Sequence, residues 1–188
     1  MNKNLLKQLS DFTPSNFREQ SMLILTQQFV AYCDTFPEIG EKNCMNRLSH
    51  KGHVTGSAWI VDAEKKYTLL THHKKLNSWF QLGGHAEDSE ISVLDVAERE
   101  AREESGLKSI KILNAHIFSV DVHLIPPNEN FPAHHHYDIR FLFEADKNEP
   151  VNISDESNAL KWILLDDVHL YNADASILSM VEKVRNIG

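Results

Sequence analysis

Three glutamates constrain this chain more than any other feature. Glu100, Glu103 and Glu104 stand at i, i+3 and i+4, a spacing that gathers side chains on one face of an α-helix. At ~3.6 residues per turn they span an arc of roughly 100°. Leu94, Ala97 and Ala101 form a neighbouring apolar stripe, so one side of the helix can pack on a sheet while the other collects negative charge. Gly106 suits the left-handed residue that closes such a helix, and Leu107 can make the accompanying hydrophobic contact. The helix is therefore expected over Ser92 to Ser105. Ahead of it, Gly83-Gly84 permits backbone turns closed to other residues.

Two carboxylates at ~5 Å repel by about 3 kcal/mol at an effective dielectric of ~20. A hard divalent cation relieves that repulsion, and oxygen ligands are what Mg²⁺ and Mn²⁺ prefer. Spacing alone leaves a second reading open. Arg99 with Glu103, and Glu98 with Arg102, are i, i+4 pairs that would suit a solvated helix face.

The net charge of −8 bears on the partner. A duplex-binding protein usually carries a basic stripe, whereas the pairs Lys65-Lys66 and Lys74-Lys75 stand alone, so stable nucleic-acid binding is not expected. An acidic chain that handles phosphates needs a metal to bridge the two negative partners. Cys33 and Cys44 are too few for a disulfide framework in 188 residues. Polar residues interrupt Met1 to Ser10 and leave no signal-peptide core, and no apolar run reaches membrane-spanning length, so a cytoplasmic protein without membrane contact is expected.

Around the glutamate helix the hydrophobic pattern predicts strands at His53 to Val61, Tyr67 to His72, Ala115 to Ile125, Tyr137 to Ala145 and Leu160 to Leu165, with a short extended piece at Trp79 to Leu82. A first helix is expected from Pro14 to Thr35, stopped by Phe36-Pro37, with Phe17, Ser21, Ile24, Gln28 and Tyr32 along one side and Met22, Leu25, Phe29 and Val30 adding apolar surface. A closing helix is expected at Ala175 to Arg185. Strands and helices mix without regular alternation, which predicts an α/β fold: a mixed sheet with helices packed on it. The N-terminal helical extension is assigned to residues 1–48 and the main domain to 49–188. That extension could cover the cleft or form a homodimer contact.

The stretch from Gly84 to Leu107 resembles the Nudix box. Gly84 is followed by five residues and Glu90; Arg99, Glu100, Ala101, Glu103, Glu104, Gly106 and Leu107 match its second half in order. Eight residues separate Glu90 from Arg99, where the family pattern has seven. The resemblance implies a Nudix-type α/β/α sandwich. It implies an enzyme that cleaves a diphosphate linkage in a nucleoside diphosphate joined to another moiety, with Mg²⁺ or Mn²⁺. It further implies that Glu100, Glu103 and Glu104 are metal ligands, with a backbone carbonyl from Gly83, and that Glu100 and Glu103 serve catalysis. Arg99 would orient a glutamate through an ion pair, and Glu156 is the candidate for a further carboxylate from outside the box. The alternative function is a Nudix-like nucleotide-sensing module that does not cut.

Other residues are candidates for substrate contact. His85 follows the glycines directly and could meet a phosphate, as could Arg140, although an ion pair is an equal use for it. Trp79 could stack on a base or pack in the core. Among the 11 histidines, His134 and His136 would share a strand face with Asp138 and Arg140, and with His123 they could form a zinc site, although their spacing matches no known zinc pattern.

Overall fold

The computed structural model describes residues 2–35, 44–49, 51–87, 90, 92–127, 129 and 131–187. Its centre is β1 (Gly52–Val61), a strand buried along its whole length. Burial on both faces requires cover on both sides, and the alternation of side chains divides the work. Val54, Ala58 and Ile60 join a core with α3 (Val93–Ser105), while Trp59 and Val61 join a second core with α5 (Ala175–Arg185). The result is an α/β/α sandwich.

Along one edge β1 runs parallel to β6 (His134–Glu144), from Gly52↔His135 through Val61↔Glu144. Along the other it pairs antiparallel first with β4 (Leu82–Gly84) and then with β2 (Tyr67–His73). β2 also holds β3 (Ser78–Phe80) and β7 (Ser157–Leu164), and β5 (Lys111–Ile125) closes the far edge against β6. A short helix, α4 (Val168–Tyr171), leads toward α5. The piece expected as a single extended segment up to Leu82 is therefore two strands, and the glycines at 83 and 84 lie inside the second.

The N-terminal region holds two helices, α1 (Asn2–Asp11) and α2 (Phe17–Thr35), where one was expected. The expected stop at Phe36-Pro37 lies outside the described residues. The face of α2 differs from expectation in part: Phe29 and Val30 are buried as expected, but the side begun by Phe17 is not the one that packs. Phe17 and Ile24 point to solvent, 87% and 44% exposed, whereas Glu19, Leu23, Thr26, Val30 and Cys33 are buried. Glu19 is buried because it has partners: its carboxylate accepts from Ser119 Oγ at 2.7 Å and from Lys183 Nζ at 2.5 Å. A polar residue inside a packing face hides that face from a purely hydrophobic reading. Leu5, Leu9, Leu23, Phe29 and Val30 belong to the same core as β1 and α3.

Candidate active site

The glutamate helix is seated by small residues. Ser92 caps its start, its side chain accepting from the Asp95 N–H at 3.1 Å. Gly106 ends it with φ 69°, its N–H donating to Arg102 O. Val93, Val96, Ala97 and Ala101 face the sheet. Gly56 of β1 lets the helix come close, since a Cβ there would lie 2.6 Å from Val93 O.

This seating holds α3 beside β4. The Gly83 N–H donates to Glu104 Oε2 at 3.0 Å, joining the last turn of the helix to the strand. Gly83 has φ +151°, and a Cβ on it would meet Ser57 Oγ at 2.3 Å. A Cβ on Gly84 would meet the Glu100 carboxylate, with Oε1 at 2.5 Å. The two glycines thus make room for two glutamates of the helix.

Burial pushes the Glu104 carboxyl up to about 7; the Gly83 N–H opposes the shift, while Glu100, Glu156 and Glu103 add to it. Burial also raises Glu100, against the pull of Arg99 and with a push from Glu103 and Glu156. Glu156, exposed in the turn before β7, therefore sends its field onto the two half-buried carboxylates although it lies some fifty residues away in sequence. Glu103 is the open member of the set, with its side chain 59% exposed.

Arg99 ties these groups together. Its guanidinium donates to Glu90 Oε1 at 3.0 Å and Oε2 at 3.2 Å, to Glu103 Oε2 at 2.7 Å, to Glu100 Oε1 at 3.1 Å and to His85 O at 2.7 Å. Glu90 reaches Arg99 despite the extra residue between them. Its second tie, accepting from the Glu87 N–H at 2.8 Å, closes the segment that follows the glycines. Asp88 and Ser89 of that segment lie outside the described residues.

The remaining candidates are less uniform. The His85 ring is half-buried, with Nε2 at 3.3 Å from His136 Nε2. Burial, reinforced by cationic or imidazole neighbours, lowers His53 to about 3, His85 to about 4 and His136 to about 2, so all three rings are neutral at pH 7. Arg140 is 3% exposed, and its guanidinium donates to Asp138 Oδ2 at 2.7 Å and Asp121 Oδ2 at 3.3 Å. It offers no open edge to a phosphate; the ion pair is the use this structure shows. Trp79 packs against the second core, with its ring edge-on to His72 and Tyr171 at 5.1 and 5.4 Å. A cleft of about 620 Å³ lined by Gln8, Phe12, Leu113, Phe118 and Lys183 touches none of the carboxylates.

Sequence reasoning missed one participant, His53, and saw another, Asp138, only as a neighbour on a strand face. Asp138 is buried and accepts from Thr55, Ser57, Gln81 and Arg140, fixing β6 to β1 and to the residue before β4. His53 read only as the start of a strand, yet it is 1% exposed and lies among His85, His134 and His136. Its strand partner His136 is far away in sequence, so no local spacing could have announced the pair.

Comparison with known proteins agrees with this geometry. The family model described as NUDIX domain matches residues 51–184. An Ap4A hydrolase from C. elegans, solved as a binary complex, is similar at 19% identity, over 71% of this chain and 96% of that one, with a TM-score of 0.56. A NUDIX-family hydrolase from Clostridium perfringens is similar at 25% identity, over 72% and 98%, with a TM-score of 0.54. The dihydroneopterin triphosphate pyrophosphohydrolase of E. coli is similar at 14% identity, over 71% and 95%, with a TM-score of 0.53. A search of curated proteins gives no match.

Proposed function

The chain belongs to the Nudix family and is a Nudix-type pyrophosphohydrolase, and from that premise we propose that it cleaves, with Mg²⁺ or Mn²⁺, a diphosphate linkage joining a nucleoside diphosphate to another moiety. The observation that carries this reading is the approach of Glu104 and Glu100 to the Gly83-Gly84 strand, inside the field of Glu103 and Glu156. The donor set is all oxygen, which fits a hard divalent cation. Glu100, Glu103 and Glu104 would hold it, with the Gly83 carbonyl and Glu156 as further ligands. When bound, the cation neutralises phosphoryl oxygens and lowers the pKa of an attacking water.

The chain's own groups divide the remaining tasks. Glu100, half-buried and raised in pKa, is assigned to take the proton of the attacking water. Arg99 is a positioning residue, since it fixes the Glu100 and Glu103 carboxylates and the His85 carbonyl in one hand. Of His85, the carbonyl belongs to this site, held by Arg99, while its ring turns to His136 and is not assigned to the substrate. Trp79, edge-on to two rings and set against the second core, is assigned to packing rather than to stacking on a base. Neighbours named for Ap4A and for dihydroneopterin triphosphate support a substrate with a phosphate chain. No helix among the described residues is long and apolar enough to cross a membrane.

The test is phosphate release from a panel of nucleoside diphosphate derivatives with Mg²⁺ or Mn²⁺, followed by product identification. Glu103→Gln and Glu104→Gln, made separately, should each lower kcat by roughly 10²-fold or more. Undiminished turnover in both would overturn the mechanism, and tight binding of a panel member without turnover by the wild type would favour the sensing module.

A further inference from the structure

Five imidazoles meet at the end of the β1–β6 pair. His53 is the hub: its ring centroid lies 4.9 Å from His85, 5.1 Å from His134 and 4.6 Å from His136, and His123 adjoins His136 at 5.5 Å. The fold makes the meeting unavoidable. Parallel register places His53 beside His136, and antiparallel register places Ser57 beside Gly83, so that alternation brings His85 to the same face as His53. Gly56 presses on α3 from the other face, so this cluster and the glutamate helix lie on opposite sides of the sheet.

Ordinary packing does not explain His53. It is 1% exposed, and neither Nδ1 nor Nε2 has a hydrogen-bond partner among the described residues. Buried polar atoms in folded proteins are nearly always satisfied, and one that is not calls for a ligand or another stated reason. The neighbouring geometry supplies one. Ligand nitrogens of His53, His85 and His136 all lie within 4.8 Å of one another. His85 Nε2 and His136 Nε2 are 3.3 Å apart. In a tetrahedral site with Zn–N of ~2.0–2.1 Å, two ligand nitrogens are separated by roughly 3.3 Å. Asp138, the carboxylate one strand step away, already accepts from Thr55, Ser57, Gln81 and Arg140, so it leaves the imidazoles as the donors. Imidazole is a ligand for zinc-class transition ions rather than for Mg²⁺.

We propose that His53, His85 and His136 bind one transition-metal ion of the zinc class, separate from the carboxylate site, with a fourth position open to water or to a phosphate oxygen. His85 is the link between the two places: its carbonyl is held by Arg99 and its ring enters the histidine cluster. This proposal does not rest on the hydrolytic reading.

The experiment uses the full chain, stripped with chelator, reloaded with Zn²⁺ or Co²⁺ in the presence of excess Mg²⁺, and dialysed before elemental analysis. One Zn²⁺ per chain is expected to remain, and Co²⁺ in its place should give the strong visible absorption of tetrahedral cobalt. His136→Asn and His85→Asn, at half-buried positions, should each weaken binding beyond the ~10–100-fold typical of losing an outer-shell partner. His53→Gln should do the same; should it fail to fold, the other two variants decide. Glu104→Gln should keep the full Zn²⁺ content, which separates this site from the carboxylates. Absence of retained Zn²⁺ in the wild type would overturn the proposal, and so would loss of Zn²⁺ in Glu104→Gln with retention in His136→Asn.

Discussion

Arg99 grips Glu90 through two parallel hydrogen bonds of 3.0 and 3.2 Å, and with the rest of the same guanidinium it holds Glu100, Glu103 and the His85 carbonyl. The bond to Glu90 anchors the segment after the glycines to the helix that carries the carboxylates. Arg99→Ala should therefore disorder the carboxylate set without emptying the core. Kcat should fall about 10–100-fold, the range for loss of a partner that orients ligands. The Mg²⁺ concentration for half-maximal rate should rise as well. Glu90→Gln, which keeps one acceptor for Arg99, should fall between wild type and Arg99→Ala. Equal metal dependence in all three proteins would contradict the positioning role.

Gly83 and Gly84 separate backbone need from site need. Gly83 combines φ +151° with contacts to Ser57, so Gly83→Ala should destabilise the fold by about 1–3 kcal/mol in urea denaturation. At Gly84 the obstacle is the far end of Glu100, a flexible side chain. Gly84→Ala should therefore leave the unfolding midpoint nearly unchanged while displacing Glu100 and depressing turnover. A Gly84→Ala enzyme with wild-type kcat would show that Glu100 need not occupy its present place.

The part of this site that was legible in the sequence is the part built from local geometry. Helical spacing placed Glu100, Glu103 and Glu104 together, and Gly106 marked the helix end, because both signals act within one or two turns. Contacts across the sheet were not legible. The β1–β6 register that joins His53 to His136 is a parallel pairing over a long crossover, for which the sequence carries no turn signature. The same holds for Asp138, which looks like one more strand-face polar residue until Ser57 and Gln81 are brought to it. Helix α1 went unread because its buried apolar residues, Leu5 and Leu9, are set among polar neighbours and make too short a stripe. The strand limits of β5, β6 and β7 extend earlier than expected, since exposed polar residues such as Lys111 and His135 pair in the ladder without contributing to the hydrophobic pattern.

Acid stability should depend on Asp121. Burial pushes its carboxyl up, but His123, Arg140 and Arg18 pull harder and hold it well below the usual carboxylate range. A depressed folded-state pKa stabilises the fold above the ordinary value of 3.8, and that stabilisation is lost as the pH falls toward the folded value. Asp121→Asn should cost about 3 kcal/mol at pH 7, the lower end for a broken buried pair because Asp138 stays on Arg140. The deficit relative to wild type should shrink as the pH is lowered below 3.8. Urea denaturation of both proteins at pH 7 and pH 3 measures this, and a deficit of equal size at both pH values would count against the ion pair.

The two N-terminal helices should prove integral to the fold. Phe29 of α2 stacks on Tyr137 of β6 with centroids 4.0 Å apart and planes 6° from parallel, and it is only 8% exposed. Arg18 reaches Asp121 at 2.7 Å and Glu19 reaches Ser119, so α2 is bonded to β5 by polar as well as apolar contacts. Phe29→Ala removes a core ring and should cost about 3–5 kcal/mol. Because Leu23, Val30 and Phe29 share one core with Val54 and Ala97, that loss should appear as a lower midpoint of a single transition. If the helices were an independent extension, Phe29→Ala would instead split the denaturation curve, with the major transition left at the wild-type midpoint. Far-ultraviolet and tryptophan signals followed in the same urea titration distinguish the two, since Trp59 and Trp162 report on the sheet while helix content reports on α1 and α2 as well.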